Sequence, residues 1–206
     1  MNNTPKTRIA VLVSGGGTNL QAILDAQRDG KITDGEVVLV VSSSAGAYAL
    51  ERAKNAGVKG VVVPRKGSTR EDFEKGLLAV LEENGIELII LAGFMCILSE
   101  RFTTHYKDRI INVHPSLIPS FCGEGFYGLH VHEAALAYGV KVSGATVHFV
   151  NEIPDGGKII MQKAVEVKDG DTPETLQKRI MEEAEWKILP LSCELVSATI
   201  VSERNK

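Results

Sequence analysis

Asn112 and His114 follow the apolar pair Ile110-Ile111 and stand directly before Pro115. On a β-strand, residues two apart point to the same face of the sheet. Pro115 cannot donate a backbone hydrogen bond and disfavours helix for the residue before it, so the strand should end here. Ligands of open α/β sheets bind beyond the carboxyl ends of the strands. The pattern therefore predicts an amide and an imidazole at a binding site, although an isolated Asn-x-His also fits a purely structural turn.

A glycine-rich turn, residues 14–19 with the sequence Ser-Gly-Gly-Gly-Thr-Asn, joins a short apolar strand to a helix. Backbone N–H groups and the dipole at a helix N-terminus attract phosphate. The turn is not a P-loop, because no Gly-Lys-Ser/Thr closes it, and Leu20 replaces the third glycine of the dinucleotide fingerprint. The second strand ends in serines 42–44 rather than in an acid that would bind a ribose. A single sugar phosphate is thus favoured over a dinucleotide, with a turn that binds nothing as the alternative.

Asp155 lies in the turn Pro154-Asp155-Gly156-Gly157. A turn aspartate followed by glycine is usually structural. If Asp155 lies near His114, its charge should favour the imidazolium and raise the pKa of His114 above its ordinary value of ~6.5.

Strand and helix patterns alternate along the chain, which predicts an α/β fold with a mostly parallel, Rossmann-like sheet and helices on both faces. We expect strands at 9–13, 37–41, 61–63, 88–91 and 109–113, and helices at 19–27, 47–56 and 70–83. Gly57 should close the second helix. The C-terminal part differs: after a helix at 131–138, the strands 145–150 and 159–167 should form an antiparallel pair. A last helix should start after Thr172 and run to about residue 189.

The composition of the chain narrows the classes of function that it could have. The 206 residues carry 23 Lys and Arg against 26 Asp and Glu, a net charge of −3, so a nucleic-acid-binding surface is not indicated. Three widely spaced cysteines without a C-x-x-C pair argue against zinc and redox sites and favour a reducing, cytoplasmic setting. The polar residues 1–8 resemble no signal peptide, and no apolar run is long enough to span a bilayer. We therefore expect small-molecule partners, no membrane contact and an oligomeric state that stays open.

Four separate segments carry a family resemblance: residues 14–23, 91–99, 112–119, and 146–150 with 155–157. Together they resemble the phosphoribosylglycinamide formyltransferases, folate-dependent transformylases of purine biosynthesis, in order and spacing along nearly the whole chain. The resemblance implies one formyltransferase domain over 1–206, with a phosphate-binding half at about 1–110 and a catalytic half at about 111–206. It also implies formyl transfer from 10-formyltetrahydrofolate to the substrate amine, without a metal.

The same resemblance implies roles for individual residues. The expected catalytic residues are Asn112, His114 and Asp155, and the expected sugar-phosphate ligands are Gly17, Thr18 and Asn19. Glu185 should face the substrate amine. The folate should contact Arg70, Met95, Cys96, Ile97, Leu98 and Asn112. Each role has an alternative: the apolar residues could be ordinary core, Arg70 a solvated cation and Glu185 a surface charge.

Several departures from the commonest family pattern limit these roles. Cys96 stands where an arginine is frequent, and Gly16 and Ser43 stand where asparagine is frequent. The loop 121–128, with glycines and aromatic residues, could be a mobile cover over the site or a plain surface loop. Among the other histidines, we expect a structural or supporting role for His148.

Three rival functions remain at this point. A methionyl-tRNA formyltransferase would normally bring a further nucleic-acid-binding domain and a basic face. A formyltetrahydrofolate deformylase would keep Asn112, His114 and Asp155 but transfer the formyl group to water. A catalytically silent nucleotide-binding module would need the glycine turn but not those three residues.

Overall fold

The computed structural model describes residues 5–204. Within them, seven strands form a single sheet: β1 (Thr7–Val13), β2 (Gly35–Ser42), β3 (Lys59–Val62), β4 (Leu88–Leu91), β5 (Ile110–His114), β6 (Val142–Phe149) and β7 (Ile159–Glu166). Their order across the sheet is β3-β2-β1-β4-β5-β6-β7.

Strands β1 to β5 pair in parallel, whereas β6 pairs antiparallel with both β5 and β7. The predicted mostly parallel α/β sheet with antiparallel C-terminal strands is therefore confirmed. The first two parallel crossovers extend the sheet in one direction and the later strands extend it in the other. The carboxyl ends of β1 and β4 consequently lie beside each other, where such sheets bind ligands.

The central strands β1 and β4 are buried on both faces, as expected for parallel strands with crossover helices. Alternate residues of β1 belong to different cores: Ile9 and Val11 face one, Ala10 and Leu12 the other. Helices α1 (Thr18–Arg28), α2 (Ala49–Asn55), α6 (Pro173–Ile180) and α7 (Trp186–Arg204) pack on the first face. Helices α3 (Arg70–Glu83) and α4 (Glu100–His105) pack on the second. Helix α5 (Leu129–Tyr138) precedes β6.

Most predicted helices are confirmed within two residues of their ends. Gly57 follows α2 with a positive φ of 69°, as a glycine that ends a helix should. The short helix α4 was missed by the sequence prediction. Ser99 caps it, with its side chain accepting a hydrogen bond from the Phe102 N–H.

The prediction for the last helix was wrong. The predicted end lies near residue 189, directly before Pro190, which lacks the N–H that a helix interior requires. In the structure, α6 continues into a π-helical segment, Met181–Glu185, and then into α7, which passes through Pro190. The π-helical turn changes the hydrogen-bond register one turn before the proline, and residues beyond it, including Cys193, Val196 and Ile200, are buried in the core. Tertiary packing thus outweighs the local proline signal.

Candidate active site

A cavity of about 750 Å³ opens beyond the ends of β4 and β5, within the size range of small-molecule sites. Its walls come from the segment after β4, the loop 121–128, the turn around Asp155 and the π-helical segment. Most of the residues predicted for the site line it: Asn19, Met95, Cys96, Ile97, Leu98, Asn112, His114, Asp155 and Glu185. Gly17, Thr18 and Arg70 are not among the lining residues.

Asn112, His114 and Asp155 lie together at one wall of this cavity. The Nδ1 atom of His114 is 3.4 Å from Asp155 Oδ2, so the two side chains lie close together. The other carboxylate oxygen, Oδ1, is 3.5 Å from Nε2 of His148, and His148 Nε2 is 3.2 Å from Asn112 Nδ2. Asn112, His114 and Asp155 can therefore act on one reacting centre.

The Asp155 turn depends on its glycines. A Cβ atom on Gly157 would overlap the carbonyl oxygen of Phe149 at the end of β6, and one on Gly156 would lie 2.7 Å from Ile153 Cβ. Asp155 itself has a positive φ of 55°, which aspartate tolerates better than most residues. The turn can thus fold back onto β6 and bring the Asp155 carboxylate to His114.

The loop 121–128 binds the same side chains through its backbone. His114 Nε2 is 2.8 Å from the carbonyl oxygen of Phe121, and the Gly123 N–H donates to Asp155 Oδ2 at 2.9 Å. In this conformation the loop covers one side of the cavity. The two ring nitrogens of His114 consequently lie against acceptors, the Asp155 carboxylate and the Phe121 carbonyl.

The electrostatics of His114 differ from the sequence prediction. Burial lowers the pKa of His114, and this outweighs the opposing effects of the Asp155 charge and of the Phe121 carbonyl. We expected a raised pKa because sequence shows the charged neighbour but not the burial, and only 4% of His114 is exposed. Burial also pushes the pKa of Asp155 upward, but its contacts with His148, His114 and the Gly123 N–H bring the net shift below the ordinary value. Asp155 is therefore the charged member of the pair at neutral pH.

The glycine turn has the backbone that the sequence predicts. Gly17 has a φ of 72°, and a Cβ atom there would lie 2.7 Å from Ala49 Cβ, so only glycine fits. The first backbone hydrogen bond of α1 runs from Gln21 N to Gly17 O, which leaves the N–H groups of the first turn pointing outward. The Asn19 side chain, however, turns towards the cavity and donates to Glu185 Oε2 at 2.6 Å.

Glu185 ends the π-helical segment and is only 6% exposed, so the surface-charge alternative is wrong. Single π-helical turns inside α-helices are frequent at functional sites. Burial raises the pKa of Glu185 to about 6, although the hydrogen bond from Asn19 opposes the rise. The carboxylate is therefore held in the cavity wall at a cost in stability.

Because burial of the charged Glu185 carboxylate lowers the stability of the fold, we expect Glu185→Gln to raise it. Because the pKa of Glu185 is about 6 in the folded protein and 4.5 ordinarily, the folded state binds more protons between these values, and stability falls as pH rises through them. The glutamine keeps an oxygen for Asn19 and removes the charge. We expect its free energy of unfolding at pH 8 to exceed that of the parent by about 2 kcal/mol, with the gain vanishing near pH 4.5.

Urea unfolding at both pH values measures this difference. Glu182→Gln is the matched control, because Glu182 lies on the same segment with its side chain 48% exposed beside Lys178. A gain for Glu185→Gln that is equal at both pH values would contradict the prediction.

The segment 95–98 supplies an apolar wall. Met95 and Ile97 are 59% and 65% exposed, so they are not ordinary core residues, whereas Leu98 is buried. The Met95 N–H donates to Ser14 Oγ at 3.0 Å, which ties the segment to the end of β1. Arg70 lies at the edge of this wall: its Nη2 donates to the Ile97 carbonyl at 3.2 Å, and its Nε is 3.5 Å from Glu74 Oε1.

Some lining residues were missed from the sequence. Gln177 and Met181 face the cavity from α6 and the π-helical segment, and Tyr127 from the loop. His132 is fully buried on α5 and lines the cavity, and neither of its ring nitrogens has a hydrogen-bond partner among residues 5–204. Burial lowers the pKa of His132 to about 4. The sequence pattern around His132 does not distinguish a cavity-lining histidine from a core histidine, because the position of His132 in the cavity wall depends on how α5 packs.

Within residues 5–204, no cluster of three or more His, Cys, Asp or Glu side chains is arranged to hold a metal ion. No helix in this part of the chain has the length and apolar character needed to cross a membrane.

The chain is similar to known formyltransferases. Residues 7–192 match the family model described as Formyl transferase. Phosphoribosylglycinamide formyltransferase of Escherichia coli (strain K12) is 40% identical over 89% of this chain and 84% of its own length. The crystal structure of glycinamide ribonucleotide transformylase 1 from Symbiobacterium toebii has a TM-score of 0.87 at 44% identity, covering 94% of this chain and 89% of that one.

Trifunctional purine biosynthetic protein adenosine-3 of Gallus gallus is 45% identical over 96% of this chain, which spans only 19% of that longer protein. The match thus concerns one part of the trifunctional relative. The matches to the family model, to the Escherichia coli enzyme and to the Symbiobacterium toebii structure cover most of this chain. The chain belongs to the formyl transferase family and, within it, to the phosphoribosylglycinamide formyltransferases.

Proposed function

We propose that this chain transfers the formyl group of 10-formyltetrahydrofolate to the amine of phosphoribosylglycinamide. The observation that carries the proposal is the convergence of Asn112, His114 and Asp155 on the cavity that Glu185 and the segment 95–98 also line. The names of the Escherichia coli and Symbiobacterium toebii proteins support the choice of substrate.

The chemistry begins with attack of the neutral amine on the formyl carbon, which forms a tetrahedral centre with a negative oxygen. Donors placed in advance around such an oxyanion lower the barrier. Asn112 offers an amide N–H, and His114 offers Nε2–H. In the structure His114 Nε2 lies against the Phe121 carbonyl, so donation to the oxyanion requires that this partner be exchanged for the substrate.

Protons must then move from the attacking amine to the departing folate nitrogen. His114 takes up the proton that the nitrogen of the attacking amine releases, and the charged Asp155 beside it stabilises the resulting imidazolium. The proton then passes to the departing folate nitrogen through a water molecule that Asp155 can orient. The lowered pKa of His114 keeps its imidazole neutral before the negative charge develops. No covalent intermediate with the protein is needed.

The two substrates can be placed from the residues that line or border the cavity. The sugar phosphate would bind at the first turn of α1, through Gly17, Thr18 and Asn19, and Glu185 would accept a hydrogen bond from the amine. The folate ring would lie against residues 95–98. Arg70, held at the Ile97 carbonyl, would face the anionic tail of the folate. Phosphate binding thus belongs mainly to residues 1–110 and catalysis to residues 111–206, with Asn19 and Glu185 in contact between them.

An absorbance assay with 10-formyltetrahydrofolate tests the proposal, because loss of the formyl group changes the folate spectrum. Turnover that depends on phosphoribosylglycinamide supports the transferase. Turnover without the amine would identify a deformylase, and no turnover with either would identify a binding module. Both of the last two outcomes would overturn the proposal.

The partners in this proposal are the two small-molecule substrates. We also propose a reducing compartment such as the cytoplasm, because Cys96, Cys122 and Cys193 are all free thiols.

A further inference from the structure

We propose that His148 is a positioning residue for this reaction: as a neutral imidazole protonated at Nδ1, it accepts a hydrogen bond from Asn112 and keeps the second Asn112 N–H free for the oxyanion. The effect on turnover rests on the proposed function, whereas the protonation of His148 can be measured without it.

The sheet places the two residues face to face. Asn112 on β5 and His148 on β6 are direct cross-strand partners in the antiparallel pair. Side chains in such pairs point to the same face and lie within contact distance. The register of β6 with β7 slips by one residue just at Val147/His148, and such irregularities re-aim side chains beside active sites.

Backbone geometry fixes the proton on His148. Its Nδ1 atom is 2.8 Å from the carbonyl oxygen of Phe149, which can only accept, so Nδ1 must carry a hydrogen. A neutral imidazole has one N–H, so Nε2 is then an acceptor. Asn112 Nδ2, a donor, lies 3.2 Å from Nε2, and the two atoms match.

The orientation of the Asn112 amide follows from this match. Nδ2 carries two hydrogens; one points at His148 and the other remains available. If Nε2 were protonated, two donors would face each other, and the amide would rotate by 180° to present Oδ1. A lone pair would then point where the free N–H points now, and an oxyanion there would be repelled.

Asp155 is the competing influence. Its Oδ1 atom lies 3.5 Å from His148 Nε2, and its charge favours a proton there. That distance exceeds the usual range of N–H···O hydrogen bonds, whereas the Asn112 contact lies at its upper limit. Asp155 Oδ2 also accepts the Gly123 N–H, so part of the carboxylate charge is already compensated. The geometry therefore favours the neutral acceptor at Nε2.

The direct test is long-range ¹H–¹⁵N NMR of the imidazole nitrogens at neutral pH, with His148 assigned by comparison with His148→Gln. We expect the neutral tautomer protonated at Nδ1. A tautomer protonated at Nε2, or an imidazolium, would overturn the proposal whether or not the protein transfers formyl groups.

The kinetic test uses a double-mutant cycle. His148→Leu removes the acceptor, and we expect kcat to fall about tenfold or more while KM for either substrate changes less than about threefold. His148→Gln offers an oxygen near the position of Nε2 and should retain most of the turnover. In an Asn112→Ala background, His148→Leu should cost less than about twofold, because its effect passes through Asn112.

Three results would contradict the kinetic part. An equal loss in the Asn112→Ala background would show that His148 acts through Asp155 or through the fold. A rise in KM alone would show direct substrate contact, and a loss in His148→Gln as large as in His148→Leu would show that the acceptor is not what matters. Ser143→Ala, a buried polar residue elsewhere on β6, controls for damage to the strand.

Discussion

His114→Ala is expected to lower kcat by about 10²–10³, the usual cost of removing one oxyanion donor. His114 is buried at the end of β5 between Asp155 and the Phe121 carbonyl, so its ring is held in place before the substrate arrives. As negative charge grows on the formyl oxygen, His114 Nε2–H would exchange the Phe121 carbonyl for the oxyanion. Alanine removes the donor and leaves the Asp155 charge without its partner.

Steady-state kinetics of the purified variant measure this loss, with circular dichroism to show that the protein is folded. His130→Ala is the control, because His130 is an exposed histidine that pairs with Glu133 and does not line the cavity. It should keep the turnover of the parent protein. A His114→Ala variant that is as active as the control would remove His114 from the mechanism.

The sequence predicts the sheet well because its signals are local. Short apolar runs such as Leu88–Leu91 are typical of strands that are buried on both faces, as the central strands of a parallel sheet are. The end of the last helix was predicted wrongly because the stabilising contacts of α7 come from the sheet, far away in sequence. A local rule cannot weigh such packing against one missing hydrogen bond.

The site was predictable where strand alternation fixes direction. Asn112 and His114 share a face because they stand two apart on β5, and this needed only the sequence. The pKa of His114 was predicted in the wrong direction, because its sign depends on how deeply the ring is buried. His132 and Gln177 line the cavity because of how their helices pack, and the sequence does not indicate this packing.

The family resemblance placed residues that local patterns could not. Glu185 looks like one acid in a charged helical stretch, and only the packing of the π-helical segment against α1 shows it buried beside Asn19. Arg70 borders the cavity beside the segment 95–98, where it contacts the Ile97 carbonyl and Glu74, and its contact with the folate stays a prediction.

Asn112→Ala is expected to lose about 10²–10³ in kcat as well, because it removes the other oxyanion donor. Asn112→Asp separates donation from size: the aspartate has the same shape but only acceptor oxygens when charged, so it should be no more active than the alanine variant. Single-turnover kinetics distinguish slower chemistry from weaker binding, and KM should change much less than kcat. If Asn112→Asp were clearly more active than Asn112→Ala, the amide would serve to fill space, and the donor role of Asn112, together with the orienting role of His148, would have to be abandoned.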